Sequence, residues 1–447
     1  MSVIISLPEK VKYIIDTLMQ AGYEAYAVGG CVRDSVLGRT PGDWDITTSA
    51  SPYQVKELFP RTVDTGIQHG TVTVMEGKEG FEVTTYRIDG EYEDSRHPKE
   101  VTFTSSLEED LKRRDFTINA MAYNEAQGLV DIFGGIRDLE QRVIRCVGNP
   151  IDRFTEDALR MMRAVRFAAQ LGFVMEERTR AAITELAPNL AGISAERIQT
   201  ELVKLVVSEH PEEMRTVYET GMSKVFFPEF DRMMETPQNN PYHCYNVGEH
   251  TIAAMRNIRS DKVLRLTMLL HDVGKPVCKK VDEKGVYHFY GHAKAGAEMA
   301  NAILRRLKFD NDTIARVSAL IVWHDSMPDL QETSVRRAIH RVGLRQYPAL
   351  FEVGRADTMA KSSYGREQKL AQICRYEELY EEIMAKRQCL TLRELAVGGR
   401  DLIALGMKPG REIGNMLEYL LLHVLECPQD NTPEILKNLV KTAQKSE

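Results

Sequence analysis

Two aspartates, Asp43 and Asp45 in the run GDWDITT, carry the clearest chemistry in this sequence. The run reads as a strand, where alternate side chains share a face, so both carboxylates point one way and can hold a divalent cation between them. A short way upstream, Gly29-Gly30 follows the apolar stretch EAYAV and opens a helical stretch with Arg33 and Asp34. Such a turn offers backbone N–H groups and a positive helix end to a phosphate, with Arg33 one turn in as charge partner. A carboxylate pair beside a phosphate-sized turn points to nucleotidyl transfer. The chain has no G-x-x-x-x-G-K-[ST], so the phosphate site is not a P-loop.

A second chemistry lies downstream. His250, His271-Asp272, His292 and His324-Asp325 precede Asp357 in RADTMAK. Imidazole and carboxylate together make a hard or borderline divalent site. The His-Asp dipeptide closes the apolar run LRLTMLL and leads into Val-Gly-Lys-Pro, while His243 competes with His250 for the first position.

The elements that must position these groups follow from pattern. A capping box, Ser6 with Glu9, predicts a packing helix through Val11, Ile14, Ile15, Leu18 and Met19. Ser51 to Phe59 reads as a helix, TVTVM and FEVTTY as strands, and Asp89 to Val101 as a polar loop. Beyond Cys146 the period stays near 3.6 residues, which predicts an all-α second half. Breaks fall at METPQNNPYH (233–242) and near Val397-Gly398-Gly399.

At 447 residues, 43% apolar and 28% charged, the chain is long enough for several globular domains. No apolar run reaches the roughly 18 residues a membrane helix needs, and MSVIISLPEK lacks a signal-peptide pattern, so no membrane association and a cytoplasmic location are expected. Seven scattered cysteines without a CxxC pair read as reduced thiols. With a net charge of −7, any nucleic acid must meet a localised basic face. One candidate is the helical run TSVRRAIHRVGLRQ, with Arg336, Arg337, His340, Arg341 and Arg345.

GGCVRDSVLGRTPGDWDI (29–46) resembles the active-site signature of class II tRNA nucleotidyltransferases and bacterial poly(A) polymerases, within the polymerase-β-like superfamily. Similar motifs follow in order: HGTVTV (69–74), FEVTTYR (81–87), DLKRRDFTINAMAYN (110–124), VDIFGGIRDL (130–139), EDALRMMRAVRFAAQLGF (156–173) and ISAERIQTEL (193–202). The resemblance implies an α/β nucleotidyltransferase head with a mixed sheet over 1–145. An all-α neck and RNA-binding body (146–235), an HD domain (236–360) and a helical, tRNA-binding tail (361–447) would follow. It implies that Asp43 and Asp45 are catalytic and bind Mg2+, one ion activating the attacking 3′-hydroxyl and the other neutralising the triphosphate. Gly30, Arg33 and Arg114 would hold the triphosphate, and Arg163 and Arg166 would contact the bound nucleotide. Glu82 is read as structural.

For Asp157 and Arg160, three apart and hence neighbours on one helix face, the resemblance implies base selection. A carboxylate accepts and a guanidinium donates. Cytosine and adenine each set an amino donor beside a ring-nitrogen acceptor and match this pair. Uracil and guanine reverse the order and leave buried groups unpaired at roughly 1–3 kcal/mol each. The implied reaction is template-independent addition of CCA to a tRNA 3′ end from CTP and ATP with release of pyrophosphate. An A-adding enzyme, a poly(A) polymerase, or an HD metal phosphohydrolase with an RNA-binding head are the alternatives. The text at 89–101 favours the ability to add A, since CC-adding relatives lack a flexible loop there. His250, His271, Asp272 and Asp357 resemble the HD phosphohydrolase ligand set, with His292 and His324 either completing a second divalent position or orienting phosphate. The resemblance implies either phosphatase or cyclic-phosphodiesterase activity on RNA ends or an inactive, purely structural HD fold. The tail text at 398–425 looks like the family's, with glycines that bring backbone N–H groups near a tRNA phosphate. The oligomeric state is left open.

Overall fold

The computed structural model describes residues 3–89 and 101–445, and the chain forms two compact units that meet in sequence at Pro228 and Glu229. Most of the loop expected at 89–101 therefore lies outside the described residues.

In the first unit, helix α1 (Glu9–Gln20) buries Val11, Ile14, Ile15 and Leu18, the stripe expected from their spacing. Its start differs from the expected capping box. Pro8 occupies the N-cap position and no side chain caps the helix, because Ser6 falls two residues outside it. A true capping box stands at α3 (Pro52–Leu58), where Ser51 and Gln54 satisfy each other's backbone N–H groups. Between the two helices lie β1 (Ala25–Val28), α2 (Gly30–Val36) and β2 (Ile46–Thr48). Strands β3 (Thr62–Gly66), β4 (Thr71–Glu76) and β5 (Glu79–Thr85) follow, then the small pair β6 (Arg87–Asp89) and β7 (Val101–Phe103).

Helix α4 (Leu107–Lys112) leads to β8 (Ala122–Asn124) and β9 (Gly128–Val130). The main sheet runs β3-β4-β5-β2-β1-β8-β9, with β2 and β5 parallel and the other neighbours antiparallel. Because every residue of central β1 is buried, both faces of the sheet are covered there. On one side Tyr26 and Val28 pack with Tyr86, Leu111, Ala122 and Val147. Helices α5 (Gly135–Gln141), α6 (Pro150–Glu156), α7 (Leu159–Leu171), α8 (Glu177–Leu186) and α9 (Ala195–Val206) complete the positioning elements.

The second unit is helical. Its centre is the helix Lys262–Leu270, buried at every position from Val263 onward. Helices Val247–Arg256, Asn311–Trp323 and Ala349–Met359 pack around it, and His292–Arg306 packs along Asn311–Trp323. The expected absence of strands after Cys146 does not hold fully. Val174–Met175 pairs in parallel with Val143–Ile144, and Lys280–Val281 pairs with Tyr287–His288. Two-residue strands are too short to leave a periodic trace.

The expected basic face also resolves differently. Arg336 is buried and donates to the Leu425 carbonyl at 2.8 Å, Arg337 pairs with Glu426, and His340 meets Glu418 at 2.9 Å. These cations hold the helix Glu332–Val342 to the helix Arg411–Glu426, and only Arg341 and Arg345 of the run stay exposed.

The two serines give a test of the capping assignment. Ser51→Ala is expected to lower the unfolding free energy by ~0.5–2 kcal/mol, whereas Ser6→Ala stays within about 0.5 kcal/mol, as read from urea denaturation. Equal losses would restore Ser6 as a cap.

Candidate functional site

Strand β1 delivers Gly29 in a positive-φ conformation, φ 82°. A Cβ at this position would lie 2.9 Å from Arg114 Nη1, so glycine is what lets that guanidinium cross the turn. The Gly29 N–H already donates to the Met121 carbonyl at 3.2 Å, and α2 is only seven residues long. Positive charge at the turn thus comes chiefly from Arg33 and Arg114, and less from the helix end than the sequence suggested.

The Val28 N–H donates to the Asp45 carbonyl at 3.0 Å, setting the acidic run beside the turn. Asp43 and Asp45 precede β2 in an extended stretch and do not lie within the strand as expected. Both are open to solvent and neither makes an ion pair among the described residues. Partial burial in the cleft, then the neighbouring Asp43 charge, raises the Asp45 carboxyl above its usual range; Glu82 adds to this and Arg114 opposes it. Glu82 enters through sheet register. Ile46 pairs with Val83, so one step earlier Asp45 and Glu82 stand side by side. Reading Glu82 as structural missed this, since single-strand parity does not reveal which strand lies alongside.

Behind the turn is a chain of charged hydrogen bonds. Arg33 grips Asp34 through two nitrogens, at 2.9 and 3.0 Å, and donates to Asn119 Oδ1 at 2.7 Å. Asn119 donates onward to Asp115 at 3.2 Å, whose other oxygen accepts from Arg163 of α7 at 2.7 Å. Burial alone would push the Asp115 carboxyl up, but Arg163 and Arg160 outweigh it and bring it down to about 2. Arg33, Arg163 and Arg166 also surround the Phe167 ring, 5.0, 5.5 and 3.8 Å from its centroid. Arg114 is placed by buried Asp110, 3.6 Å away, which also accepts from Thr47 at 3.1 Å and pairs with Arg113 at 2.8 Å.

Asp157 and Arg160 do not share a continuous helix. The chain breaks between α6 and α7, and Asp157 sits in the break with φ −142° and ψ 103°. It accepts the Leu159 N–H at 3.0 Å, as a helix cap does, and pairs with Arg197 at 2.7 Å. Arg160, in the first turn of α7, donates to Glu156 at 2.6 Å and to the Arg113 carbonyl at 3.0 Å. Arg166 is buried and pairs with Glu201 of α9.

In the second unit, all six of the predicted histidines and aspartates converge. His250 Nε2 lies 3.0 Å from Asp357 Oδ1 and 3.2 Å from His271 Nε2. Asp272 Oδ2 is 3.3 Å from His271 and 3.5 Å from His250. Its other oxygen, Oδ1, is 3.5 Å from His292 and 3.8 Å from His324. His250, His271 and Asp272 form one trio of donor atoms, and Asp272, His292 and His324 another. Lys275 reaches Asp272 at 2.7 Å and Lys361 reaches Asp357 at 2.6 Å. Burial would raise the Asp272 carboxyl, but His271 and Lys275 hold it well below the usual range. His243 sits behind His250, ring centroids 5.3 Å apart, and burial with Lys275 brings it down to about 3. Of the two, His250 is the one whose nitrogen joins a trio of donor atoms.

Three family models match parts of the chain. The poly(A) polymerase head domain model matches residues 25–145, the polymerase A RNA- and SrmB-binding model 172–234, and the tRNA nucleotidyltransferase domain 2 model 283–440. A CCA-adding enzyme of Lactiplantibacillus plantarum is 55% identical over 203 residues, which span 45% of this chain and 50% of that protein. The CCA-adding enzyme of Lactobacillus helveticus is 35% identical over 97% of this chain and 96% of its own length. This chain belongs to the CCA-adding enzyme family. Among solved structures, the Bacillus stearothermophilus CCA-adding enzyme in complex with CTP superposes with a TM-score of 0.72 at 31% identity, covering 97% of this chain and 96% of that one. CCA-adding enzymes are nucleotidyltransferases that use divalent metals. Among the described residues, no helix is long and apolar enough to cross a membrane.

Asp115 links the two halves of the head site, and its acidity is measurable. Its folded pKa is depressed, so its contribution to stability is present above the unfolded value and is lost as pH falls through about 2. Asp115→Asn is expected to lower stability by roughly 2–3 kcal/mol at neutral pH, with the gap to the parent closing below pH 4 in urea unfolding. A gap constant down to pH 2 would contradict the assigned ion pairing.

Proposed function

We propose that Asp43 and Asp45 hold Mg2+ and that the head adds C, C and A to tRNA 3′ ends from CTP and ATP, releasing pyrophosphate, by two-metal nucleotidyl transfer. The observation carrying this reading is an acidic pair without an ion-pair partner among the described residues, set opposite Arg33 and Arg114 at one turn. Crowded carboxylates, of which Asp45 is already raised by burial and the Asp43 charge, suit a divalent ion, and Glu82 extends the set. Asp43 and Asp45 would hold the ion, whose chemistry there would be to lower the pKa of the attacking hydroxyl and offset the triphosphate charge.

The chain's own residues do the rest. Gly30 opens the turn, and Arg33 and Arg114 receive the phosphates. Asp157 and Arg160 read the base edge, exchanging Arg197 and Glu156 for the amino group and ring nitrogen of cytosine or adenine. Arg163 ties the selecting helix to Asp115, and Arg166 ties it to Glu201. The CTP complex of the Bacillus stearothermophilus relative supports the nucleotide assignment. The working division is head 1–145, neck and body 146–235, HD domain 236–360 and tRNA-binding tail 361–447. A cytoplasmic setting fits seven free cysteines.

A second reading rests on the histidine cluster. His250, His271, Asp272 and Asp357, with His292 and His324, suit a pair of divalent ions sharing Asp272. A cavity of about 350 Å³ opens before them, bordered by Lys275, Lys361, His243 and Phe289. Its mix of cations and donor atoms fits a phosphate ester, so phosphohydrolase activity on RNA ends is assigned here.

With tRNA lacking CCA and labelled nucleotides, Asp43→Ala and Asp45→Ala are each expected to cut incorporation at least about a thousandfold. Incorporation that survives both rejects the head as catalyst, and incorporation of A alone in the presence of CTP removes the CCA assignment. Asp157→Ala should admit UTP, with roughly 5–100-fold lower discrimination. His271→Ala is expected to abolish phosphate release from a phosphorylated RNA end while nucleotide addition persists; retained release would sink the second reading.

A further inference from the structure

We infer that the corner after the helix Arg411–Glu426 is a third metal site, for zinc, built from His423, Cys427 and Asp430. Their donor atoms all lie within 4.8 Å of one another. Ligands arranged tetrahedrally around one zinc ion stand about 3.3–3.8 Å apart, so side-chain rotation alone closes the set. All three residues are half-buried, which leaves a fourth position for water.

The local sequence explains the convergence. His423 and Cys427 are four apart at the end of a helix and so project from the same side. Cys427 leaves helical geometry, φ −120° and ψ 76°, and Pro428 opens a single 3-10 turn through Asp430. This turn folds Asp430 back until its carboxylate accepts from His423 Nε2 at 2.8 Å. A His-Asp contact alone would serve to close the turn. The thiol is the telling addition, because it faces the same point and has no hydrogen-bond partner among the described residues.

The backbone is fixed on both sides. Arg336 holds the Leu425 carbonyl at 2.8 Å, and Asn431 donates to the Glu394 carbonyl at 2.9 Å while accepting the Ala396 N–H at 2.8 Å. Metal binding therefore orders side chains only. One nitrogen, one sulfur and one oxygen make a borderline-soft donor set, which selects zinc over magnesium or calcium. On binding through Nε2, the imidazole proton resides on Nδ1 and the Cys427 thiol releases one proton to solvent, leaving the thiolate on the metal. The ion would tie the last helical turn to the 3-10 turn that follows.

Cobalt(II) distinguishes this site from the histidine cluster, which has no sulfur ligand. Titrating the full chain with cobalt is expected to give a sulfur-to-cobalt charge-transfer band in the near ultraviolet, whose final amplitude corresponds to one thiolate-bound ion per chain and which zinc in excess over all sites removes. Cys427→Ser abolishes the band, His423→Ala weakens cobalt binding at least tenfold, and the double variant His271→Ala, Asp272→Ala retains the band. Thermal unfolding in chelator establishes that Cys427→Ser is folded, and if it is not, Asp430→Ala replaces it with the same expected weakening as His423→Ala. No thiolate band in the full chain, or a band unchanged in Cys427→Ser or in both of the other ligand variants, overturns the site.

Discussion

The shared ownership of Asp115 constrains the head more than any other interaction. One oxygen of this buried carboxylate serves Asn119 and through it Arg33 at the glycine turn; the other serves Arg163 on α7. Charge-assisted hydrogen bonds of this kind are directional and roughly twice as strong as neutral ones. Arg33 therefore has a limited set of positions relative to α7. The Phe167 ring reinforces this by offering one π-face system to three guanidiniums that would otherwise repel one another. The glycine turn and α7 are thereby built on one rigid frame.

Much of this was legible in the residues. The Gly-Gly turn, the acidic pair and the six metal-type residues of the second unit were recognisable because each depends on residue type and short-range spacing. Their partners were less so. Asp357 meets His250 across 107 positions, a proximity that helical periodicity cannot encode. Glu82 was passed over because its parity was visible but its neighbour was not, and only the parallel pairing of β5 with β2 places it beside Asp45.

Other differences come from local competition between signals. EDALR reads as continuous helix, yet Asp157 is also a favoured capping residue, and its side chain takes the Leu159 N–H and ends that continuity. Ser6 and Glu9 match a capping box in spacing, but Pro8 is the residue at the boundary. For Arg336 the competing demand is long-range. A helix that must satisfy a buried carbonyl on its neighbour uses the same residue type as one that faces RNA, and the one-dimensional pattern is identical.

The lysines beside the histidine cluster have a further implication. Asp272 and Asp357 are each matched by an ammonium group, Lys275 and Lys361, within the same buried pocket. Two desolvated anions are thus balanced by two internal counterions before any cation arrives. The second unit can consequently assemble with these anions already balanced, and on the proposed metal reading loading would exchange lysine for ion in a domain that is already folded.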